Sequence, residues 1–105
     1  MPQFTVYKNK NAAMKARIPY LMDVQCNLLS DLETRVVIPL YISAALKGKQ
    51  LTTLTPTFKV EGKEYVLMTP QLAGISKKEL GQEIADLTVH RDVIIAAMDF
   101  LITGI

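Results

Sequence analysis

Apolar residues recur along this chain with two different periods, and the change between them divides it. Near the start, QFTVYK alternates Phe4 and Val6 with Thr5 and Tyr7, the two-residue period of a half-covered strand. A polar stretch, KNKNAAMKAR, interrupts the pattern before IPYLMDVQ resumes it. LLSDLETR reads as a turn in which Leu28 and Leu29 are adjacent apolar residues in polar company. RVVIPLY is an almost unbroken apolar run, the composition of a strand covered on both faces. Pro39 inside it cannot donate to a ladder and so calls for an edge, a bulge or a strand end.

The middle predicts a hairpin. TFKV and KEYVLMT flank Glu61 and Gly62, and Gly62 can supply the positive φ that tight hairpin turns demand. Phe58 and Val60 would share one face, opposite Lys59 and Glu61. PQLAGISKKELGQEIAD shows neither period clearly and reads as small turns with at most a short helical turn. No internal repeat, low-complexity tract or linker is visible, so the expectation is one domain over residues 1–105.

From residue 89 to about residue 102 the period is helical, which predicts a helix of roughly 21 Å. Thr88 is the candidate N-cap, and Asp92 suits the positive end of the helix dipole. On a helical wheel Asp92, Asp99 and Thr103 form one narrow polar stripe. Val89, Val93, Ala96, Ala97 and Phe100 make one apolar sector, and Ile94, Met98 and Leu101 make another. Ile95 and Ile102 lie beyond them, beside Arg91. A helix on one sheet needs an apolar face of little more than 100°. This one exceeds that, so a second copy packing helix near helix is the simplest cover. The predicted architecture is mainly β with one C-terminal α-helix: a small, strongly bent antiparallel barrel.

Composition supports spare apolar surface, because half of the 105 residues are hydrophobic. Net charge is only +2, but Lys8, Lys10, Lys15 and Arg17 fall within ten residues that contain no acid. Without interleaved aromatics this is a solvated loop able to meet an acidic partner, and specific nucleic-acid binding is not expected. A single cysteine, Cys26, excludes an internal disulfide and a thiolate cluster, and is read as a small semi-buried residue. The start lacks the apolar core of a signal peptide, and the apolar run at residues 93–98 is far below the roughly 20 residues of a membrane span. A cytoplasmic protein without membrane contact is expected.

Catalytic signals are thin. His90 stands in the first helical turn with no serine or cysteine motif to use it, and reads as a surface residue. Asp86, Asp92 and Asp99 are too far apart to read as a carboxylate dyad, no metal-ligand spacing occurs, and the five glycines form no phosphate-cradling loop. Neither cofactor nor metal is implied, and the protein is read as a non-enzyme.

Several stretches together resemble the CcdB family of plasmid and chromosomal toxins. They are QFTVY, DVQ followed two residues later by Leu28 and Leu29, RVVIPL, MTPQLAG, GQEIADLT and the final Gly-Ile. Their order covers nearly the whole chain, residues 9–16 and 46–53 matching least. The resemblance implies an SH3-like barrel with a C-terminal helix, assembled as a homodimer. It also implies binding to the A subunit of DNA gyrase, trapping of the gyrase–DNA cleavage complex, and neutralisation by a CcdA-like antitoxin. Carried over by position, the gyrase surface is Leu28, Leu29, Asp99, Ile102, Thr103, Gly104 and Ile105. The antitoxin surface includes the first loop, here Lys8, Asn9, Lys10, Asn11 and Lys15. This chain departs from the best-known members at Thr103, where they carry tryptophan, and at Asp99, where a neutral amide is familiar. Two alternatives share the architecture: an endoribonuclease toxin of the MazF/Kid type, and an inactive homologue that binds only antitoxin.

Overall fold

Residues 2–43 and 53–104 are described by a computed structural model. Among these residues seven strands follow one another as β1 (Thr5–Asn9), β2 (Tyr20–Asp23), β3 (Thr34–Ile42), β4 (Thr57–Val60), β5 (Lys63–Leu67), β6 (Ala73–Ser76) and β7 (Leu80–Asp86). One α-helix, α1 (Arg91–Thr103), ends it. All pairings are antiparallel, in the order β4-β5-β3-β2-β1-β7, with β6 also on β3. The sheet curls into a half-barrel against α1, as the hydrophobic pattern predicts.

β3 explains both the continuous apolar run and its proline. Its two faces serve different cores: Ile38 and Leu40 join Val6, Met22 and Leu67 beneath the helix, whereas Val37 and Tyr41 join Tyr7 and Leu21 on the other face. With both faces covered, no polar alternation survives. The strand also changes partner along its length, pairing with β6 at residues 34–37 and with β5 at residues 40–42. Pro39 lies at the gap between them. Its carbonyl accepts from the Met68 amide, so in extended backbone its nitrogen faces the same side, away from β2. The missing donor therefore falls where no ladder bond is required.

The hairpin between β4 and β5 is as expected. Glu61 and Gly62 take φ of 51° and 81°, the paired positive values of a tight hairpin turn, and Phe58 and Val60 are buried while Lys59 is exposed.

Three expectations change. Phe4 is not part of the first strand: it is buried with φ of 67°, bonded through its amide to the Asp23 carbonyl and through its carbonyl to the Leu87 amide. The stretch read as turns holds two strands, β6 and β7, beside its 3-10 turns at Thr69–Gln71 and Lys77–Glu79. Two register shifts between β1 and β7 break the alternation of LGQEIAD, which hides that strand from a period test. The helix is entered through a 3-10 turn, Thr88–His90, and Thr88 is not its cap. Instead the Asp86 carboxylate accepts from the Thr88 amide at 2.9 Å and from the Thr88 hydroxyl. Those two bonds favour the ionised carboxylate and hold the Asp86 pKa below its ordinary value.

Candidate partner-binding site

The turn bearing Leu28 and Leu29 begins where β2 ends at Asp23. Asp23 and Arg35 of β3 are both fully buried and form an ion pair, with Nε 2.7 Å from Oδ2 and an Nη 3.0 Å from Oδ1. Such a pair is tolerable only when its other polar sites are satisfied. Here they are satisfied by the following loop: Asp23 Oδ1 accepts from the Gln25 amide, and Arg35 donates to the carbonyls of Leu29 (3.4 Å) and Gln25 (3.5 Å). The Gln25 side chain donates to the Leu29 carbonyl and accepts from the Val36 amide.

The loop is therefore anchored from beneath, and Asn27–Leu29 forms a 3-10 turn above it. Lys77 closes the far side by donating to the Ser30 carbonyl at 2.7 Å, and the Gln3 amide donates to the Asn27 side chain. At the top Leu28 is 91% exposed and Leu29 48%. Leu28 cannot be a plug in the barrel end. Cys26, expected to be semi-buried, is exposed beside this turn.

The second set stands on the last turn of α1. Ile94 and Ala97 are buried and fasten the helix to the core, with Ile95 and Met98 packed beside them. Asp99, Ile102, Thr103 and Gly104 are all exposed, Ile102 by 78%. Gly104 ends the helix with φ of 74°, its amide donating to the Phe100 carbonyl at 2.9 Å. The Thr103 hydroxyl turns back to the Asp99 carbonyl at 2.7 Å. Ile105 lies outside the described residues. Along the helix Val89, Val93, Ala96 and Phe100 form an exposed apolar stripe, distinct from the buried seam. His90 is exposed with its ring against Phe58, centroids 4.9 Å apart.

The first loop brings Lys8, Lys10 and Lys15 to one recess of about 390 Å³, together with Tyr20 and Gln82. Asn9 differs from its neighbours. It is buried, donates to the Ile18 carbonyl and accepts from the Asn11 amide, so its side chain orders the loop. Asn11 is exposed, and its side chain accepts from the Ala13 amide. Beyond Asn9 lies a second cavity, about 450 Å³, floored by Leu21, Val37, Ala73 and Ile75 and walled by Asn11 and Met14.

Asp23, Gln25 and Arg35 were not singled out for a role by the sequence reading. Their signal was a charge at the end of one apolar strand and another near the start of the next, a pattern that surface alternation does not produce. Among the described residues no group of three or more His, Cys, Asp or Glu could hold a metal, and no helix is long and apolar enough to cross a membrane.

A β half-barrel that holds apolar side chains out on a fixed turn and a helix tip offers the kind of surface that a protein partner can cover. The sequence model of the family described as CcdB protein matches residues 3–104, and this chain belongs to that family. It is thereby a toxin of the toxin–antitoxin type.

Proposed function

We propose that the protein, as a homodimer in the cytoplasm, binds the A subunit of DNA gyrase and traps the gyrase–DNA cleavage complex. The observation that carries this reading is Leu28, 91% exposed on a turn anchored by a buried ion pair. A large apolar side chain held rigidly in water has little to gain in the free protein. Its backbone is already fixed by the loop beneath, so a partner that covers it need order only the side chain itself. Leu29, Asp99, Ile102, Thr103 and Gly104 complete the surface, and Ile105 joins it on resemblance alone. The exposed stripe of Val89, Val93, Ala96 and Phe100 supports a dimer in which α1 is covered by the second copy.

The antitoxin is met by the first loop, through Lys8, Lys10, Asn11 and Lys15, with Asn9 holding the loop in shape. Closely placed lysines with no acid in the segment suit an acidic, disordered chain that orders on binding.

The test is growth of a gyrase-sensitive host expressing the chain without antitoxin, paired with a gyrase cleavage assay on purified protein. Growth arrest and accumulated cleaved DNA are expected from the wild type. Both should disappear on deleting residues 103–105, with the dimer still folded. A truncated protein that still traps cleavage would place the site elsewhere. A wild type that allows normal growth would leave the chain as an antitoxin-binding homologue without a poisoned target.

A further inference from the structure

We propose that the open edge of β6 is a strand-addition site for an extended acidic peptide, which seats one apolar side chain in the 450 Å³ cavity beside it. The proposal depends on the reading above only in naming the antitoxin as the source of that peptide.

Three observations converge on this edge. β6 pairs with β3 on one side only. The direction of its free groups follows from register. The Val36 carbonyl accepts from the Val24 amide and the Val36 amide donates to the Gln25 side chain, so both face β2. Gly74 lies opposite Val36, and Ser76 opposite Thr34. In an antiparallel ladder a residue opposite one that faces away faces away too. The amide and carbonyl of Gly74 and of Ser76 therefore point to the open side, ready for another strand.

The cavity supplies the second observation. Ala73 and Ile75 lie opposite Val37 and Arg35, on the face that bears the cavity, and both line it. A strand added beside β6 would present alternate side chains to that face, one of them next to the cavity mouth. Its volume falls within the range of ligand pockets, and its floor is aliphatic.

Charge is the third. The cavity shares Asn9 with the recess lined by Lys8, Lys10 and Lys15, and Lys78 is exposed just beyond the end of β6. Glu79 is the one acid on the cavity rim. The lysines lie in the adjoining recess and past the end of β6, not on the cavity itself, so a peptide that seats an apolar side chain in the cavity and carries acidic residues to either side of it is favoured.

Gly74 gives a clean test, because a Cβ built there meets nothing within 4 Å. Gly74→Pro removes an open-side donor and no bond to β3, as edge strands permit. Gly74→Ala keeps the donor. The probe is a fluorescein-labelled nonapeptide alternating glutamate and leucine, followed by anisotropy against the full-length protein. Saturable binding is expected for the wild type and Gly74→Ala, and roughly five- to tenfold weaker binding for Gly74→Pro. In the wild type, the probe should slow amide exchange at Gly74 and Ser76, a readout independent of how the variant folds. Equal binding by all three proteins, no binding by the wild type, or unchanged exchange would each overturn the proposal. Sedimentation that shows Gly74→Pro splitting a dimer would also overturn it, since the edge would then pair two copies. Gyrase trapping, measured without peptide, should be unaffected by Gly74→Pro, so failure of the gyrase reading and failure of this one are separately visible.

Discussion

The turn at Leu28 and the tip of α1 both push aliphatic side chains into water, yet they are held by opposite means. The turn depends on contacts distant in sequence: Arg35 from the next strand, Gln3 from the start of the chain and Lys77 from beyond β6. The bonds described at the helix tip are local, Gly104 to Phe100 and Thr103 to Asp99. Opening the turn therefore breaks bonds to distant parts of the fold, so its stability is tied to theirs. The tip can fray by itself at the cost of a turn of helix. A binding surface with one rigid and one yielding half can dock on the first and adjust with the second.

Breaking the rigid half should have the largest effect. Arg35→Ala leaves the Asp23 carboxylate buried without its cation, and a destabilisation of about 3–5 kcal/mol is expected from denaturant unfolding. Leu28→Ser should leave stability within about 0.5 kcal/mol, because the side chain packs on little, while weakening binding to the gyrase A subunit by about 2 kcal/mol or more. Denaturant unfolding reads the first and calorimetric titration against the gyrase A subunit the second. If Leu28→Ser binds normally, the exposed leucine is not an anchor.

The yielding half is probed at Gly104. Gly104→Ala forces a Cβ into the left-handed region and should cost about 1 kcal/mol, seen as loss of helix at the last turn and not as a lower unfolding midpoint for the sheet. The smallest effect is expected at the other end of the helix. The Asp86 pKa is lowered in the folded chain, so its contribution is fully present above the unfolded value and is lost as pH falls through the folded one. The difference in melting temperature between wild type and Asp86→Ala should thus be constant near neutrality and close in acid. A gap that persists in acid would assign the difference to something other than the carboxylate.

Legibility in the sequence followed the range of the interactions. The hairpin at Glu61 and Gly62 and the period of α1 are local, and both were readable from a few neighbouring residues. β7 was not, because its alternation is interrupted by irregular pairing with distant β1, and β6 was not, because it is four mostly exposed residues with no apolar face to read. Thr88, the cap expected from sequence, opens a 3-10 turn instead, and α1 begins after His90 with no side-chain cap, because the Thr88 amide and hydroxyl are already bonded to Asp86. Among candidate site residues, the exposure of Leu28 and Ile102 agrees with what a partner surface needs. Asn9 looked like one more polar loop residue, but its amide is engaged on both sides inside the fold. The Asp23–Arg35 pair spans twelve residues and two strands, so the charges set against apolar strand ends hint at burial but not at which residue pairs with which.

Pro39 has a further consequence, one of assembly. A strand shared among β2, β5 and β6 has several neighbours against which it could slide during folding. Displacing β3 by one residue along β2 would aim the proline at a position that needs a donor, and would exchange Ile38 and Leu40 with Val37 and Tyr41 between two differently shaped cores. Both penalties fall on the same misaligned state. One imino acid in the middle of RVVIPLY thus acts as an alignment mark, accepted by the native pairing and rejected by its nearest neighbour.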